Sequence, residues 1–348
     1  MNFISASTRF PNNSIVALPK AEIHIHIEGC FDLTDLERLA SQVNEPLLRP
    51  RDRLFQFDGL SDFLQFLDWT CGLVRTQSQL AEAGYSLCQR LSKSGVRYCD
   101  AIVNPTHWRL WRDRIPELIE GLHQGFVAAE QDALPPVGLC ISLLRTQSGT
   151  EALDLVDLLL KLNHPRVVAL SIDGNEAKAG RTGPRFAQAF RKAAEGGLRR
   201  TVHAGESSGP EGVRDALEFL HADRIDHGVR AIEDPELVKI LAEKGIPLGI
   251  CPTSNLTLGL YPKLAQHPLE QLRRAGVPVS INTDDPAPLG LALHSEYEKC
   301  ASAFNWSVSE LQSVAKTSIE ASFADADTKK RLLQELADWD EGFESGDR

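Results

Sequence analysis

The chain has 348 residues, enough for one large domain or two domains of ordinary size. Hydrophobic residues make up 42% of it and charged residues 24%, which is typical of a soluble globular protein. The net charge of −11 at pH 7 argues against a nucleic-acid-binding surface, because phosphate binding needs clustered Lys and Arg. No apolar run approaches the roughly 18 residues of a membrane span, so we expect no membrane partner.

Two features of the composition predict a cytoplasmic protein. Residues 1–17 are polar, are interrupted by Pro11, and lack the apolar core of a signal peptide. The seven cysteines are odd in number, widely scattered and never spaced as C-x-x-C, which indicates reduced thiols. We interpret residues 1–17 as an N-terminal extension and residues 343–348 as a polar C-terminal tail.

The first predicted strand carries two histidines, His24 and His26, in an apolar run that ends at Gly29. Successive side chains of a strand point to opposite faces, so these two histidines must point the same way. Isoleucines occupy the alternate positions, which suits a strand that is buried on both sides. Two imidazoles on one face of such a strand can hold one metal ion.

A short helix is predicted over Leu33–Ala40, and a second segment with apolar residues at helical spacing comes later. Ser61 is the expected N-cap of this second helix. Its residues Phe63, Phe66 and Leu67 would form one apolar face. This face either packs in the core or forms a lid over a flat aromatic substrate.

From here the sequence alternates between helix candidates and strand candidates. Helices are predicted over Gln79–Ser94, Ile115–Gln131, Glu151–Leu162 (with Thr150 as N-cap), Arg185–Glu195, Gly212–Leu220, Pro235–Glu243 and Leu269–Ala275. Each is followed by a predicted strand, in order Val96–Val103, Val137–Leu144, Val167–Ile172, Leu198–His203, Arg224–His227, Ile246–Cys251 and Val277–Thr283. The chain closes with two helices, over Val308–Phe323 and Thr328–Trp339.

Eight alternating strands predict one α/β domain over residues 18–342, a (β/α)8 barrel of the TIM type with additional helices. A doubly wound open sheet is the alternative. Candidate site residues follow the first, fifth, sixth and eighth strands, and those strand ends converge on one mouth only in a barrel. The pattern therefore favours the barrel.

The polar residues at these strand ends include candidate metal ligands. His24, His26 and His203 offer nitrogen atoms, and Asp284 offers a carboxylate oxygen. Three imidazoles and one carboxylate with an open position suit a catalytic Zn²⁺ better than Mg²⁺ or Ca²⁺, which prefer oxygen ligands. We expect one zinc ion, and iron or manganese would fit the same ligands.

Three further residues at the strand ends are suited to proton transfer or substrate binding. Zinc lowers the pKa of a bound water from 15.7 to about 7, and His227 is the candidate base that takes the proton. Glu206 would act as a general acid if burial raised its pKa. Asp285 either accepts a hydrogen bond from the substrate or is a helix N-cap ahead of Pro286.

Six segments carry specific motifs, namely Leu18–Gly29, Asp173–Glu176, Val202–Glu206, Arg224–Arg230, Cys251–Asn255 and Asn282–Pro286. In this order they resemble the adenosine deaminase family of the amidohydrolase superfamily, and the resemblance covers the chain from about Leu18 to Phe323. It implies a zinc-dependent hydrolytic deaminase of purine metabolism, in a (β/α)8 barrel. Such an enzyme replaces the amino group at C6 of a 6-aminopurine with oxygen and releases ammonia.

The resemblance also implies a role for each candidate. By this likeness the zinc ligands are His24, His26, His203 and Asp284. Asp284 would also steer the attacking hydroxide. Glu206 would protonate N1 of the purine, and His227 would deprotonate or orient the attacking water.

The same likeness implies the substrate contacts. Asp285 would contact N7 of the purine, and the backbone at Gly174 would contact N3. The apolar face formed by Phe63, Phe66 and Leu67 matches the hydrophobic lid of the family, which favours the lid interpretation. The expected partner is thus a small purine.

Differences from the family pattern bear on the substrate. Glu28 stands where nucleoside deaminases usually have an Asp placed to bind ribose, and Glu is common in adenine deaminases. Gly174 and the run Cys251–Asn255 are nearer to the nucleoside enzymes, while Ser171 and Asp173 depart from the usual residues. Our first interpretation is a deaminase of adenosine or a modified adenosine. The alternative is a deaminase of free adenine or an N6-substituted adenine.

Other classes of protein fit less well. Relatives that hydrolyse esters or amides on this barrel often hold a second metal through a carboxylated lysine on the fourth strand, and Val167–Asp173 contains no lysine. The zinc site of cytidine deaminases requires a P-C-x-x-C motif, which is absent. A barrel without catalytic activity would lack at least one working residue, and all of them are present.

Overall fold

All eight predicted strands form, and each pairs in parallel with the next one along the chain. The structure is a computed structural model that describes residues 14–344, with side chains described as far as residue 339. The strands are β1 Lys20–His26, β2 Val96–Val103, β3 Val137–Leu144, β4 Val167–Asp173, β5 Arg199–Ala204, β6 Arg224–His227, β7 Leu248–Ile250 and β8 Val279–Ile281.

The last strand closes the sheet against the first. Just beyond β8, the backbone N–H of Asp284 donates to His24 O at 3.2 Å, and His26 N–H donates to Asp284 O at 2.8 Å. A side chain also joins β1 to the segment after β8, because Asn282 Oδ1 accepts a hydrogen bond from Ile23 N–H at 2.9 Å. The predicted (β/α)8 barrel is therefore confirmed, and the open-sheet alternative is wrong.

Fifteen α-helices are present in residues 14–344. They are α1 Ser14–Ala17, α2 Leu33–Val43, α3 Gly59–Gly72, α4 Gln77–Lys93, α5 Ile115–Gln131, α6 Gly149–Leu162, α7 Glu176–Ala179, α8 Gly183–Glu195, α9 Pro210–Glu218, α10 Pro235–Lys244, α11 Pro252–Thr257, α12 Leu269–Arg274, α13 Leu293–Phe304, α14 Val308–Ala321 and α15 Ala326–Glu344.

The predicted N-terminal extension overlaps the described part of the chain only in α1. Ile15 of this helix is buried in the hydrophobic core, and its carbonyl accepts a hydrogen bond from the buried Lys20 ammonium at 2.9 Å. Residues 1–13 and 345–348 lie outside the described residues. The division of the chain into extension, barrel and tail stays a prediction.

Two predicted helix N-caps are wrong. Helix α6 is capped by Ser148, whose side chain accepts from Glu151 N–H, and the predicted Thr150 lies inside the helix. Helix α3 begins after Asp58 and contains Ser61. There, Asp62 accepts a hydrogen bond from Asp58 N–H at 2.9 Å, so a carboxylate in the first turn satisfies the backbone.

The end of the barrel opposite the mouth is closed by a buried ion pair. The Arg224 guanidinium at the start of β6 donates to Asp100 Oδ2 at 2.8 Å, and both side chains are fully buried. The Phe323 ring stacks against the same guanidinium at 4.3 Å, and Phe323 N–H donates to Asp100 Oδ2 at 2.8 Å. This arrangement ties the segment after α14 to the barrel and leaves the mouth as the open end.

In the part of the chain that the structure describes, none of the helices combines the length and apolar character that crossing a membrane requires.

Candidate active site

The residues expected at the site lie together at the mouth of the barrel, where parallel strands present their carboxyl ends. Strand β1 ends at His26, and His203 is the second-last residue of β5. Strand β6 ends at His227, and Asp284 lies three residues beyond β8. The barrel thus gathers side chains that are up to 260 residues apart in the sequence.

Four of these side chains form a buried set of ligand atoms. His203 Nε2 lies 3.1 Å from His24 Nε2 and 3.0 Å from His26 Nε2. Asp284 Oδ1 lies 3.3 Å from His24 Nε2 and 3.4 Å from His26 Nε2. Ligand atoms bound tetrahedrally at about 2.0 Å from Zn²⁺ are separated by about 3.3 Å. The spacing therefore fits a divalent metal.

The hydrogen bonds of His24 and Asp284 suit metal binding. His24 Nδ1 lies 2.8 Å from Gly249 O, so Nδ1 carries a proton and Nε2 is the ring nitrogen that faces the other ligand atoms. Ser254 donates to Asp284 Oδ2 at 2.7 Å, which leaves Oδ1 free to face the histidines. Burial alone would raise the pKa of Asp284, but the neighbouring His24 lowers it well below its usual range, so the carboxylate is ionised.

A second group of possible ligand atoms overlaps the first. It consists of His24, His227, Cys251 and Asp284. Burial raises the pKa of the Cys251 thiol well above its usual value, and only a thiolate is a good metal ligand. The donor set with three histidines and one aspartate is therefore the better metal site.

Glu206 is a buried carboxyl group beside this set. Burial, followed by the charges of Asp284 and Glu176, raises the pKa of Glu206 to about 8. A carboxyl group with this pKa is protonated at neutral pH and can donate a proton, as a general acid must. Burial therefore gives Glu206 the raised pKa that a general acid needs.

His227 lies next to Glu206 and is neutral. Burial, with a further contribution from His24, lowers the pKa of His227 to about 3. Its Nε2 atom lies 3.4 Å from Glu206 Oε1 and 3.8 Å from Asp284 Oδ2, so it faces the space between these two carboxyl groups. His227 has a φ of 66° and Asp284 a φ of 67°, a left-handed conformation that is rare outside glycine and common at functional sites.

Asp285 reaches the site because Gly29 has no side chain. A Cβ atom on Gly29 would lie 2.6 Å from Asp285 Cα and 2.5 Å from Asp285 Cβ. Burial and the neighbouring Asp284 charge raise the pKa of Asp285 well above its usual value, which favours a protonated carboxyl. No described helix begins at Asp285, so the N-cap interpretation is wrong, and its Oδ1 has no hydrogen-bond partner among residues 14–339.

Two carboxylates, Asp173 and Glu28, lie on the other side of the site. Asn104 joins them, because its Nδ2 donates to Asp173 Oδ1 at 2.5 Å and its backbone N–H donates to Glu28 Oε1 at 2.7 Å. Trp108 Nε1 also donates to Glu28 Oε1, at 2.7 Å. Both Asp173 Oδ2 and Glu28 Oε2 are buried and have no hydrogen-bond partner among the described side chains and backbone. Such atoms are costly unless a ligand pairs with them.

The cavity between these groups has a volume of about 60 Å³. One water needs roughly 10–15 Å³ on this scale, so the cavity has room for about five water-sized groups. Its polar wall consists of His26, His107, Asp173, Gly174, His203, Glu206, His227, Ser254, Asp284 and Asp285. Glu28 lies behind this wall and does not itself line the cavity.

Helix α3 covers the cavity. Phe63 and Leu67 line it, whereas Phe66 packs beneath them with its ring centroid 5.2 Å from that of Phe57. Asp68, also on α3, hydrogen-bonds to His107 Nδ1 at 2.6 Å. The apolar face therefore packs in the core and covers the cavity at once.

Sequence reasoning did not identify several residues of the site. His107 and Ser254 line the cavity, and Glu176 binds the backbone of the loop that carries Glu206. The only available signal for Glu176 was its position in the Asp173–Glu176 motif.

An eight-stranded parallel barrel with three histidines and an aspartate at its mouth defines a metal-dependent hydrolase of the amidohydrolase type. Comparison with known proteins agrees with this class. The family model described as adenosine deaminase matches residues 19–339. The chain therefore belongs to the adenosine deaminase family, and it is a hydrolytic deaminase that acts on a C–N bond.

Individual relatives are similar over nearly their whole length. An adenine deaminase from Rhizobium meliloti (strain 1021) is 36% identical over 320 residues, which are 92% of this chain and 98% of that protein. The crystal structure of an adenine deaminase from Arthrobacter aurescens has a TM-score of 0.88 and 30% identity, and covers 93% of this chain and 100% of its own. An amidohydrolase from Burkholderia ambifaria, with bound zinc, has a TM-score of 0.88 and 26% identity, with 98% and 96% covered.

Proposed function

We propose that this enzyme deaminates adenine as the free base and releases hypoxanthine and ammonia. The relatives named above support this alternative better than the nucleoside interpretation, because two of them are adenine deaminases. The observation that carries the proposal is the buried Oδ2 atom of Asp173 in the cavity wall, which has no hydrogen-bond partner among the described residues and lies 4.0 Å from His26 Nδ1. It indicates a ligand with a hydrogen-bond donor at the edge where a nucleoside would carry its sugar.

The position of this edge follows from the proposed placement of the purine. Glu206 faces N1, Asp285 faces N7, and the backbone at Gly174 contacts N3. In a purine, N3 and N9 are both bonded to C4, so the residue next to Gly174 in the strand is close to N9. That residue is Asp173, and its free oxygen can accept a hydrogen bond from the N9–H of adenine. A nucleoside has ribose on N9 and no donor there.

The side chains that occupy the edge of the cavity near the proposed N9 position favour a small substrate as well. Glu28 and Asp173 are both held by Asn104, and His107 fills the wall beside them. The cavity lies beneath the Phe63 side chain of α3, whose flat ring suits contact with a planar purine. In this proposal Glu28 shapes the edge from behind the wall and makes no contact with a sugar.

The proposed metal is one zinc ion, held by the donor set His24, His26, His203 and Asp284. When bound, zinc would lower the pKa of a water and so supply a nucleophile near neutral pH. The hydrogen bond from His24 Nδ1 to Gly249 O leaves Nε2 facing the proposed metal position, and the ionised Asp284 carboxylate is the form that a metal requires.

Protein groups on both sides of the purine would complete the reaction. Glu206 donates its proton to N1, which withdraws electrons from C6 and makes it electrophilic. Asp285, protonated, would donate a hydrogen bond to N7; it lines the cavity, and its pKa is raised well above the usual value. His227 Nε2 holds the attacking water in the space between Glu206 and Asp284. Addition of water oxygen at C6 and loss of the amino group yield the products.

The proposal can be tested with 9-methyladenine, which keeps the reacting ring and lacks the N9–H donor. Ammonia release is measured for adenine and 9-methyladenine with the wild type and with Asp173→Asn. A hydrogen bond to a charged group contributes about 1.5–3 kcal/mol, so the wild type should prefer adenine by at least roughly 10- to 100-fold in kcat/KM. This preference should fall in Asp173→Asn.

Ser171→Ala provides the matched control, because Ser171 lies two residues earlier on the same strand and face, and its hydroxyl is also buried and unpaired. The control should keep the wild-type preference. Equal turnover of adenine and 9-methyladenine by the wild type would overturn the proposed contact, and absence of turnover with every 6-aminopurine would overturn the function.

A further inference from the structure

A chain of three hydrogen bonds runs from the backbone of α12 to His227. It begins at Leu269, whose N–H lies 3.2 Å from His267 Nδ1. A backbone N–H can only donate, so Nδ1 of His267 accepts and the ring proton is on Nε2. His267 is buried, and burial lowers its pKa to about 4, which keeps the ring neutral.

The next two hydrogen bonds determine which ring nitrogen of His227 accepts. His267 Nε2 lies 3.0 Å from Asn255 Oδ1, and its proton fixes which end of the amide faces it. The other end, Asn255 Nδ2, lies 3.2 Å from His227 Nδ1. An amide nitrogen only donates, so Nδ1 of His227 accepts, and a neutral His227 carries its proton on Nε2.

We propose that Asn255 and His267 are positioning residues that hold His227 as the neutral Nε2–H tautomer, so that His227 donates a hydrogen bond to the attacking water. This inference rests on the proposed function for its catalytic consequence. The surroundings of Nε2 agree with a donor, because both of its neighbours, Glu206 Oε1 and Asp284 Oδ2, are carboxyl oxygens that can accept. An imidazole in this form has no lone pair on Nε2 and does not act there as the base.

The proton of the water then passes to Glu206. Glu206 first gives its own proton to N1, and the resulting carboxylate takes one proton from the attacking water, which restores the carboxyl. The second proton of the water leaves with the amino group as ammonia, as the new C6–O bond becomes a carbonyl and the C6–N bond breaks. Protons and charge balance without a base at His227.

Asn255→Asp tests the inference because it reverses the direction of the last bond while keeping the size of the side chain. A carboxylate still accepts from His267 Nε2, but it also accepts from His227 Nδ1, which moves the proton of His227 to Nδ1. We expect kcat for adenine to fall about 100- to 1000-fold, as for loss of one charge-stabilising donor. Metal content should stay at the wild-type level. If His227 were the base, the variant would supply an oriented histidine with a free Nε2, and unchanged or higher kcat would overturn the inference.

The tautomer is read directly from ¹⁵N NMR of imidazole-labelled, zinc-loaded protein, with His227 assigned by comparison with His227→Gln. The wild type should show His227 protonated on Nε2, and Asn255→Asp should show it protonated on Nδ1. A wild-type His227 protonated on Nδ1 overturns the inference. Because this measurement uses no substrate, its result stands apart from failure of the proposed function.

A second pair of variants guards against a folding defect in Asn255→Asp. His267→Leu removes the donor to Asn255 and should lower kcat, whereas His267→Gln supplies an amide N–H at the same place and should restore most of it. Tyr261→Phe is the control, because the Tyr261 ring packs on His267 with centroids 5.0 Å apart and takes no part in the chain of bonds. Equal losses in His267→Leu and His267→Gln would contradict a positioning role.

Discussion

The Glu176 carboxylate accepts the backbone N–H of Glu206 at 2.9 Å, in the loop that follows β5. The same carboxylate accepts the N–H groups of Gly205, Ser207 and Ser208 at 3.1–3.3 Å. Four backbone N–H groups and the Ser208 hydroxyl, which donates at 2.9 Å, therefore converge on one buried side chain. This arrangement holds the backbone of the proposed acid in place. Its negative charge also adds to the effects of burial and of Asp284, which together raise the pKa of Glu206.

Glu176→Gln should slow the reaction without loss of metal. Gln has one acceptor oxygen instead of two, and its NH₂ group would face backbone donors. Displacement of a catalytic group by about 1 Å can cost roughly 100-fold in rate, so we expect kcat to fall about 10- to 100-fold. Glu211→Gln is the matched control, because Glu211 is exposed and accepts only Gly209 N–H in the same loop. A wild-type kcat in Glu176→Gln would contradict this role.

The pKa of Glu206 predicts an alkaline loss of activity. Because its pKa is raised to about 8, the proton needed for N1 is present below pH 8 and is lost as the pH rises through that value. We expect kcat/KM for adenine to decline roughly tenfold per pH unit above this point. Removal of the Glu176 charge should move the decline to lower pH in Glu176→Gln. Kinetics between pH 6 and pH 10 measure both effects.

Glu206→Gln separates the acid from the metal site. Gln cannot donate a proton to N1, and loss of a general acid costs about 100- to 10,000-fold. We expect this loss in kcat with full metal content, measured by atomic absorption. Turnover at the wild-type rate would show that another group supplies the proton.

Asp284→Ala should bind less zinc. Asp284 Oδ1 is the carboxylate oxygen of the donor set, and its loss leaves three imidazoles around the site. Loss of one ligand weakens a metal site more than loss of an outer partner, which typically costs 10- to 100-fold in affinity. Zinc titration in competition with a chelator measures the change. Ser254→Ala, which removes only the hydrogen bond to Asp284 Oδ2, should show the smaller effect. Equal zinc affinities of Asp284→Ala and the wild type would show that Asp284 is not a metal ligand.

The fold was predictable because its signals are local. Alternating apolar runs identified β2, β3 and β6 with their observed ends, and helical spacing did the same for α5. Helix α13 was missed, because the residue before it is Ala292, which has no side chain that can cap a helix. The N-cap errors at Ser61 and Thr150 arose because a polar residue inside a first turn resembles a cap when only spacing is available.

The metal-ligand histidines were predictable because histidines that gather at the ends of several barrel strands are typical of a metal site. The histidines of β1 and β5 stood at strand ends, and His24 Nε2 and His26 Nε2 both lie within 3.1 Å of His203 Nε2. The roles of Glu176, Asn255 and His267 depend on contacts between loops that are distant in sequence. Glu176 and Asn255 lie in recognisable motifs, but no local pattern reveals what they contact, and His267 lies in no motif. In our proposal, these contacts also determine which ring nitrogen of His227 carries the proton.

The central claim is that the cavity accepts a free purine base, and the ratio of kcat/KM for adenine to that for adenosine tests it most directly. Both are measured as ammonia release by the same zinc-loaded wild-type protein. Because Asp173 and His107 border the cavity at the edge proposed for N9, we predict a ratio well above 100. A ratio below one would contradict the claim and show that ribose enters at the edge formed by Glu28 and Asp173.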